Sequence, residues 1–142
     1  MIRGFLSGDE IFIALLEKEC FADPWSAEGV VSSAAEGVRF FVFEENDRIL
    51  GYVGLQTVLD EGYITNIAVT KSARGRGIGK MLLQYLDSIA EDSSLSFISL
   101  EVRESNTAAI SLYEKCGYES MGKRPTFYEN PREDAIIMTK RR

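Results

Sequence analysis

The segment from Lys71 to Lys80 has the residue types and the spacing of an anion-binding loop. Its ten residues include four cations, three glycines and no acid, although the chain carries a formal net charge of −6. An amphipathic helix is predicted directly after it, because apolar residues recur there at i, i+3 and i+4. These residues are Ile78, Met81, Leu82, Tyr85, Leu86 and Ile89. The glycines therefore lie at a helix N-terminus, where free backbone N–H groups and the helix dipole favour a phosphate.

Two common phosphate-binding loops do not fit this spacing. A P-loop would need glycine in place of Arg74 and a hydroxyl residue in place of Met81. A dinucleotide-binding fingerprint would need its third glycine in place of Lys80. The motif that remains is Arg74-x-x-Gly77-x-Gly79, between a predicted strand and a helix. A glycine-rich turn with solvated cations is the alternative explanation of the same residues.

Length and composition predict one globular domain spanning residues 1–142. The chain has 142 residues and 45% hydrophobic content, which suits a single core. It contains no 18-residue apolar stretch, and no long apolar run preceded by cations opens it. We therefore expect a cytoplasmic protein without a membrane segment.

The absence of histidine restricts the chemistry that the chain can perform. It excludes Ser/His and Cys/His nucleophilic machinery, and with only two cysteines it leaves no usual zinc site, so no metal is expected. Proton transfer must then use a carboxylate, tyrosine, lysine or water. The negative net charge argues against a nucleic-acid surface and permits a basic protein or peptide as partner.

Hydrophobic periodicity predicts alternating helices and strands. A short strand is predicted at residues 2–5. A helix follows, capped by Ser7 or Asp9 and ending near Cys20. Its buried side is predicted to carry Ile11, Phe12, Leu15 and Leu16. A second short helix is capped by Ser26. Strands are expected at residues 38–44, 49–58 and 63–69.

The second half of the chain continues this pattern. A helix is predicted from about residue 78 to 91, then a strand at residues 95–102 and a helix that is capped near Asn106 and ends at Gly117. Two further strands, residues 118–123 and 135–139, flank residues 125–134. The length and polar composition of residues 125–134 predict a mobile substrate loop.

This order of elements, with the Arg74-x-x-Gly77-x-Gly79 motif, resembles the GNAT family of acyl-coenzyme A dependent N-acetyltransferases. The resemblance implies an α/β (α+β) fold with about four helices and a mixed central sheet of about seven strands, splayed between strands 4 and 5. It also implies acetyl-CoA as cosubstrate, with the pantetheine arm on the backbone of the fourth strand and the pyrophosphate on the loop. The implied cofactor-binding residues are Ile67, Ala68, Val69, Arg74, Gly75, Arg76, Gly77, Ile78, Gly79, Lys80 and Asn106.

Within that family, blocks spread over the whole chain resemble the ribosomal protein alanine N-acetyltransferases, the RimI group. The blocks include Pro24-Trp25-Ser26, Asn66-Ile67-Ala68-Val69, Leu100-Glu101-Val102-Arg103 and residues 109–114 and 132–138. The resemblance implies that Glu101 is a general base and Tyr113 a general acid. The implied reaction is acetylation of the N-terminal alanine of a small-subunit ribosomal protein. Residues expected to bind the acceptor are Trp25, Tyr63, Asn66 and Tyr128, whereas Phe127 departs from a pair of tyrosines in that group.

The ionisation of the candidate groups favours an α-amine as acceptor. An N-terminal amine has a pKa of ~7.7 to 8 and is partly neutral at pH 7, whereas lysine has a pKa of ~10.4. Glu101 with a pKa of ~4.3 would be a weak base unless it is desolvated or acts through water. Its alternative role is a surface carboxylate paired with Arg103 or Lys115, and Tyr113 could instead only pack against the sheet.

Two other functions are compatible with the same residues. An acetyltransferase of this fold could act on lysine, a polyamine or a small metabolite amine. A non-catalytic domain could keep coenzyme A only for structure or regulation. The sequence leaves the acceptor and the oligomeric state open.

Overall fold

The chain forms a seven-stranded mixed sheet with four α-helices, as seen in a computed structural model that describes residues Met1–Arg142. The strands are β1 (Ile2–Gly4), β2 (Arg39–Glu45), β3 (Arg48–Val58), β4 (Glu61–Val69), β5 (Phe97–Arg103), β6 (Glu119–Glu129) and β7 (Arg132–Arg141). The α-helices are α1 (Asp9–Cys20), α2 (Ala27–Ala35), α3 (Ile78–Asp92) and α4 (Thr107–Lys115), and a single 3-10 turn covers Lys71–Ala73. The predicted fold class is confirmed. None of the helices has the length and apolar character needed to cross a bilayer.

The sheet opens between its two parallel strands. Its order is β1-β2-β3-β4-β5-β7-β6, and every neighbouring pair is antiparallel except β4 and β5. These two strands pair only at three positions, Glu61–Phe97, Gly62–Ile98 and Tyr63–Ser99. Beyond them β5 continues to pair with β7 along its whole length, so the second half of β4 has no neighbour on that side. This divergence is the predicted splay, and it creates the main cleft of the molecule.

The two faces of the sheet bury two apolar clusters. On β2, Phe41 and Phe43 face the cluster that includes α3, whereas Phe40 and Val42 face the cluster that includes α1 and α2. This alternation follows from the period of two along a strand. Helix α3 contributes Ile78, Leu82, Leu83, Leu86 and Ala90 to its cluster. The predicted amphipathic pattern is confirmed except at Met81, which is exposed. The loop before α3 is therefore held in place by a helix firmly packed on the sheet.

The predicted buried side of α1 was wrong for three of its four residues and right for Leu16. Ile11, Phe12 and Leu15 are 50 to 60% exposed, whereas Ile13, Leu16 and Glu17 are buried. Residues 13, 16, 17 and 20 also have helical spacing, but this stripe contains a glutamate and a search for apolar residues passes over it. The predicted capping residue was also wrong, because Gly8 occupies the N-cap position without a side-chain hydrogen bond. The cap predicted for α2 is confirmed, since Ser26 Oγ accepts a hydrogen bond from the Gly29 N–H at 3.1 Å.

The expectation of a mobile loop at residues 125–134 was also wrong. Strand β6 extends to Glu129 and β7 begins at Arg132, so a hairpin with a tight turn at Asn130 and Pro131 replaces the loop. Nearly every residue of β6 is exposed, and its register shifts twice against β7. A strand with both faces exposed to solvent does not alternate apolar and polar residues, and for this reason the sequence pattern predicts a loop there.

Candidate active site

The opening between β4 and β5 holds a continuous cleft with two compartments. The loop compartment, of about 500 Å³, lies beside residues 73–80, and the acidic compartment, of about 300 Å³, contains Glu17, Asp23 and Glu101. Six residues line both: Cys20, Phe21, Ile67, Asn106, Ala109 and Tyr113. A molecule bound along the loop compartment therefore reaches the acidic compartment without crossing a protein wall.

The glycines of the loop compartment have the backbone that the motif requires. Gly75 and Gly77 have φ of 83° and 81°, in the left-handed region that favours glycine, and Gly77 is the N-cap residue of α3. No atom lies within 4 Å of where a Cβ on either residue would be. The space beside these two glycines is thus open next to the first turn of α3, whose N–H groups lack intrahelical partners, and this arrangement suits a phosphate.

The cations of the loop are placed differently from one another. Arg74 Nε donates to the Val69 carbonyl at 3.2 Å, and Lys80 forms no ion pair. Arg76 does not line the loop compartment and instead pairs with Glu45 at the β2–β3 turn. All of the predicted cofactor-binding residues except Arg76 line this compartment.

Asn106 fixes the start of α4 at the boundary between the compartments. Its side-chain oxygen accepts a hydrogen bond from the Ala109 N–H at 3.2 Å, as expected for an N-cap residue. Gly117, with a φ of 96°, follows the end of the helix as predicted. The cap therefore sets where α4 begins, and with it the position of Tyr113 two turns later.

Tyr113 lies where the two compartments meet. Its side chain is buried, and burial, followed by the neighbouring Tyr128, raises the pKa of its hydroxyl above the usual value for tyrosine. The hydroxyl is therefore protonated throughout the physiological pH range. A protonated phenol at this junction can donate a hydrogen bond or a proton to a group that spans both compartments.

Glu101 lines the acidic compartment from β5. Its carboxylate lies 3.5 Å from the guanidinium of Arg124 on β6, and 34% of its side chain is exposed. Neither of the partners considered from the sequence, Arg103 and Lys115, pairs with it. The carboxylate is thus accessible to a molecule in the compartment and lies beside one cation.

Three of the four residues predicted to bind an acceptor line the acidic compartment: Trp25, Asn66 and Tyr128. The Trp25 ring packs edge-on against Phe40, with 6.1 Å between ring centroids. Tyr63 does not line it, because its ring packs against Phe97 and its hydroxyl donates to Glu61.

Sequence reasoning missed several residues of this compartment, chiefly Glu17 and Arg103. The Arg103 guanidinium lies 4.3 Å from the centre of the Tyr128 ring and donates to the carbonyls of Asn130 and Pro131 at 3.0 and 2.8 Å. It therefore fixes both the β6–β7 turn and an aromatic wall of the compartment. No local pattern marks this role, whereas the position of Glu17 on a stripe with Ile13 and Leu16 was a detectable signal.

Comparison with known proteins agrees with this geometry. The profile of the acetyltransferase (GNAT) family matches residues 11–118. The chain belongs to the GNAT acetyltransferase family. Relatives in that family include the [ribosomal protein bS18]-alanine N-acetyltransferases of Escherichia coli and Haemophilus influenzae. They are 37% and 36% identical over 125 and 126 residues, which is 87% of this chain in both cases and 84% and 86% of theirs.

Solved structures of GNAT proteins show the same fold. The ribosomal-protein-S18-alanine N-acetyltransferase of Escherichia coli superposes with a TM-score of 0.91 and 34% identity, covering 99% of this chain and 92% of that one. A GNAT acetyltransferase from Elizabethkingia anophelis, solved with acetyl-CoA bound, has a TM-score of 0.81 at 18% identity, covering 100% of this chain and 97% of that one. Enzymes of the GNAT family use acetyl-CoA.

The glycine loop yields a testable prediction. Gly77→Val places a branched side chain in the open space before α3, so we expect the KM for acetyl-CoA to rise by about tenfold or more, as for the loss of one or two hydrogen bonds to a phosphate. Gly37→Val is the matched control, because Gly37 also has a positive φ, of 106°, with nothing within 4 Å of its Cβ position, and lies outside both compartments. Steady-state kinetics that show equal KM changes in the two variants would remove the loop from the binding site.

Proposed function

We propose that the chain transfers an acetyl group from acetyl-CoA to the N-terminal α-amine of a protein, namely the N-terminal alanine of ribosomal protein bS18. The observation that carries this proposal is that Tyr113 lines both compartments of one cleft, with an anion-binding loop at one end and Glu101 at the other. The acceptor is suggested by the relatives named for that reaction, which are 36 to 37% identical to this chain. Such an acceptor would place the enzyme in the cytoplasm.

The loop compartment would hold acetyl-CoA through the backbone of two elements. The N–H groups at the start of α3 suit the pyrophosphate, with Lys80 as a free cation beside them. The unpaired side of β4, residues 67–69, offers backbone groups to the amides of the pantetheine arm, in the manner of an added strand. Bound in this way, the thioester end would lie towards Tyr113, which lines both compartments.

Glu101 would accept the proton of the attacking amine, directly or through water. An N-terminal amine with a pKa of ~7.7 to 8 needs little help to lose its proton near neutral pH. A carboxylate that is accessible from the compartment can take that proton as the new amide bond forms. Arg124, 3.5 Å away, keeps a positive charge near the group.

Tyr113 would donate a proton to the departing thiolate. Burial keeps its hydroxyl protonated, so the proton is present whenever the thioester breaks. The thiolate of a thiol with a pKa of ~8.5 is a weaker base than a phenolate, so once the proton has passed to sulfur the tyrosine is reprotonated from solvent rather than left ionised.

The acceptor is identified by a direct assay. We expect acetyl transfer to a peptide that begins with alanine and carries the N-terminal sequence of bS18, measured by mass spectrometry with acetyl-CoA. The same peptide with a blocked N-terminus and one internal lysine should remain unmodified. Faster turnover of free lysine, a polyamine or a metabolite amine would replace the proposed acceptor. Tight binding of coenzyme A without turnover of any amine would indicate a non-catalytic domain.

The role of Tyr113 is tested by removing only its hydroxyl. Tyr113→Phe should lower kcat by about 10² to 10⁴ if proton donation limits the rate. Tyr118→Phe is the matched control, because its ring lies 6.0 Å from that of Tyr113, its hydroxyl is buried without a partner, and it lines neither compartment. A Tyr113→Phe enzyme with kcat within about twofold of the parent would exclude the proposed acid.

The role of Glu101 is tested by neutralising it without changing its shape. Glu101→Gln should lower kcat/KM for the acceptor by about 10² to 10⁴, since the amide cannot take up a proton. Arg124→Gln removes the same ion pair by changing its cation and leaves the Glu101 carboxylate intact, so its kcat/KM should stay much closer to that of the parent. If kcat/KM, measured at saturating acetyl-CoA, falls equally in both variants, activity depends on the ion pair and Glu101 is not the general base.

A further inference from the structure

Glu17 is a buried carboxylate on the wall of the acidic compartment, and the proposed reaction gives it no role. It is fully buried, and no lysine or arginine pairs with it. Three donors satisfy it instead. The Trp25 N–H donates to Oε1 at 3.0 Å, Asn66 Nδ2 donates to Oε2 at 3.0 Å, and the Tyr52 hydroxyl donates to Oε2 over a short distance.

The three donors connect Glu17 to both sides of the acidic compartment. Trp25 belongs to the connection between α1 and α2, which supplies one wall, and Asn66 belongs to the unpaired half of β4, which supplies another. Tyr52 lies on β3, is fully buried and does not line the compartment. Glu17 therefore ties the two walls to each other and to the core behind them.

The carboxylate also determines how the Asn66 amide is turned. A carboxylate accepts hydrogen bonds, so the amide must turn its NH₂ group towards Glu17. The other end, Oδ1, receives no hydrogen bond from any group of the protein. This leaves one free acceptor oxygen, held in a single orientation, on a residue that lines the compartment.

We infer that Glu17 is a positioning residue for the acceptor, which it serves by holding Asn66 with its amide oxygen towards the backbone N–H groups of an incoming N-terminal peptide. The Trp25 main chain, held by the other carboxylate oxygen, keeps the facing wall at a fixed distance. The acceptor thus meets a preformed hydrogen-bonding site and not a flexible amide. Such pre-organisation increases affinity because less freedom is lost on binding.

Replacement by glutamine disturbs this arrangement while keeping its size. One end of the glutamine amide must be an NH₂ group, and it must face either the Trp25 N–H or the Asn66 NH₂. In the first case the glutamine NH₂ group and the Trp25 N–H are both donors, so the hydrogen bond that holds the Trp25 main chain is lost. In the second case Asn66 turns over and presents its NH₂ group to the compartment. Either outcome removes part of the acceptor site without touching the loop compartment.

The test is a comparison of Glu17→Gln with the parent enzyme. The KM for the acceptor should rise by about tenfold, as for the loss of one well-placed hydrogen bond, while kcat stays within about threefold and the KM for acetyl-CoA within about twofold. Asn66→Ala should raise the acceptor KM similarly, and the double variant should be no worse than Asn66→Ala alone, since both remove the same interaction. Additive effects would overturn the inference.

Tyr52→Phe is the matched control, because it removes a hydrogen bond from Glu17 while Tyr52 itself does not line the acidic compartment and keeps neither Asn66 nor Trp25 in place. It should lower the melting temperature with the acceptor KM within about twofold of the parent. If Tyr52→Phe raises the acceptor KM as much as Glu17→Gln does, Glu17 supports only the fold and the inference fails.

The inference depends on the proposed function only for the choice of acceptor, so the kinetic arm uses whichever amine the parent enzyme acetylates best. A second arm needs no acceptor. The side-chain N–H protons of Asn66, observed by NMR, should exchange slowly with solvent in the parent protein and much faster in Glu17→Gln. Equal exchange in both would contradict the inference. Failure to acetylate an alanine peptide, with slow exchange in the parent, would contradict the proposed function alone.

Discussion

The divergence of two parallel strands after three paired positions is the constraint on which the rest of the structure depends. Strand β5 gives its free edge to β7, so β4 from Ile64 onwards has one side without a sheet partner. Buried backbone groups that lack partners are costly, and such an edge is tolerated only beside a cavity that water or a ligand can fill. Three elements of the candidate site lie along the opening beside this edge: the start of α3, one face of α4 and the end of α1.

The cleft separates charge along its length. Its loop compartment carries Arg74, Lys80 and the positive end of α3, whereas its acidic compartment carries Asp23 and Glu101 beside a single cation, Arg103. Burial raises the pKa of Glu17, the third acid there, so it adds less negative charge than the other two. A polyanionic donor and an amine that carries a positive charge are thus attracted to opposite ends of one cleft. The ion pair of Arg76 with Glu45 holds that cation outside the cleft, so fewer charges of the loop face a ligand than the sequence suggests.

The sequence predicts much of the fold because its strongest signals are local. Ser26 and Asn106 are capping residues recognisable by type, and the apolar stripe of α3 has a clear period. The wrong predictions concern features that depend on contacts between residues far apart in the sequence. The exposed face of α1 and the wet strand β6 depend on what lies next to them in space. The contacts of Glu17 and Arg103 join residues that are 8 to 49 and 27 to 30 positions away, which no local pattern reports.

The two outer edges of the sheet limit how this protein can meet other chains. Strand β1 offers only three residues to a neighbour, and β6 interrupts its edge with two register shifts, Pro125 and the charged Lys123. Edges that are short, irregular or charged discourage a further strand from adding to the sheet, which is the first step of edge-to-edge aggregation. The β6–β7 hairpin, which contributes Tyr128 to the acidic compartment, thus also protects the edge of the sheet against pairing with another chain. Substitutions that make β6 regular in order to widen the compartment would therefore expose an edge that can pair.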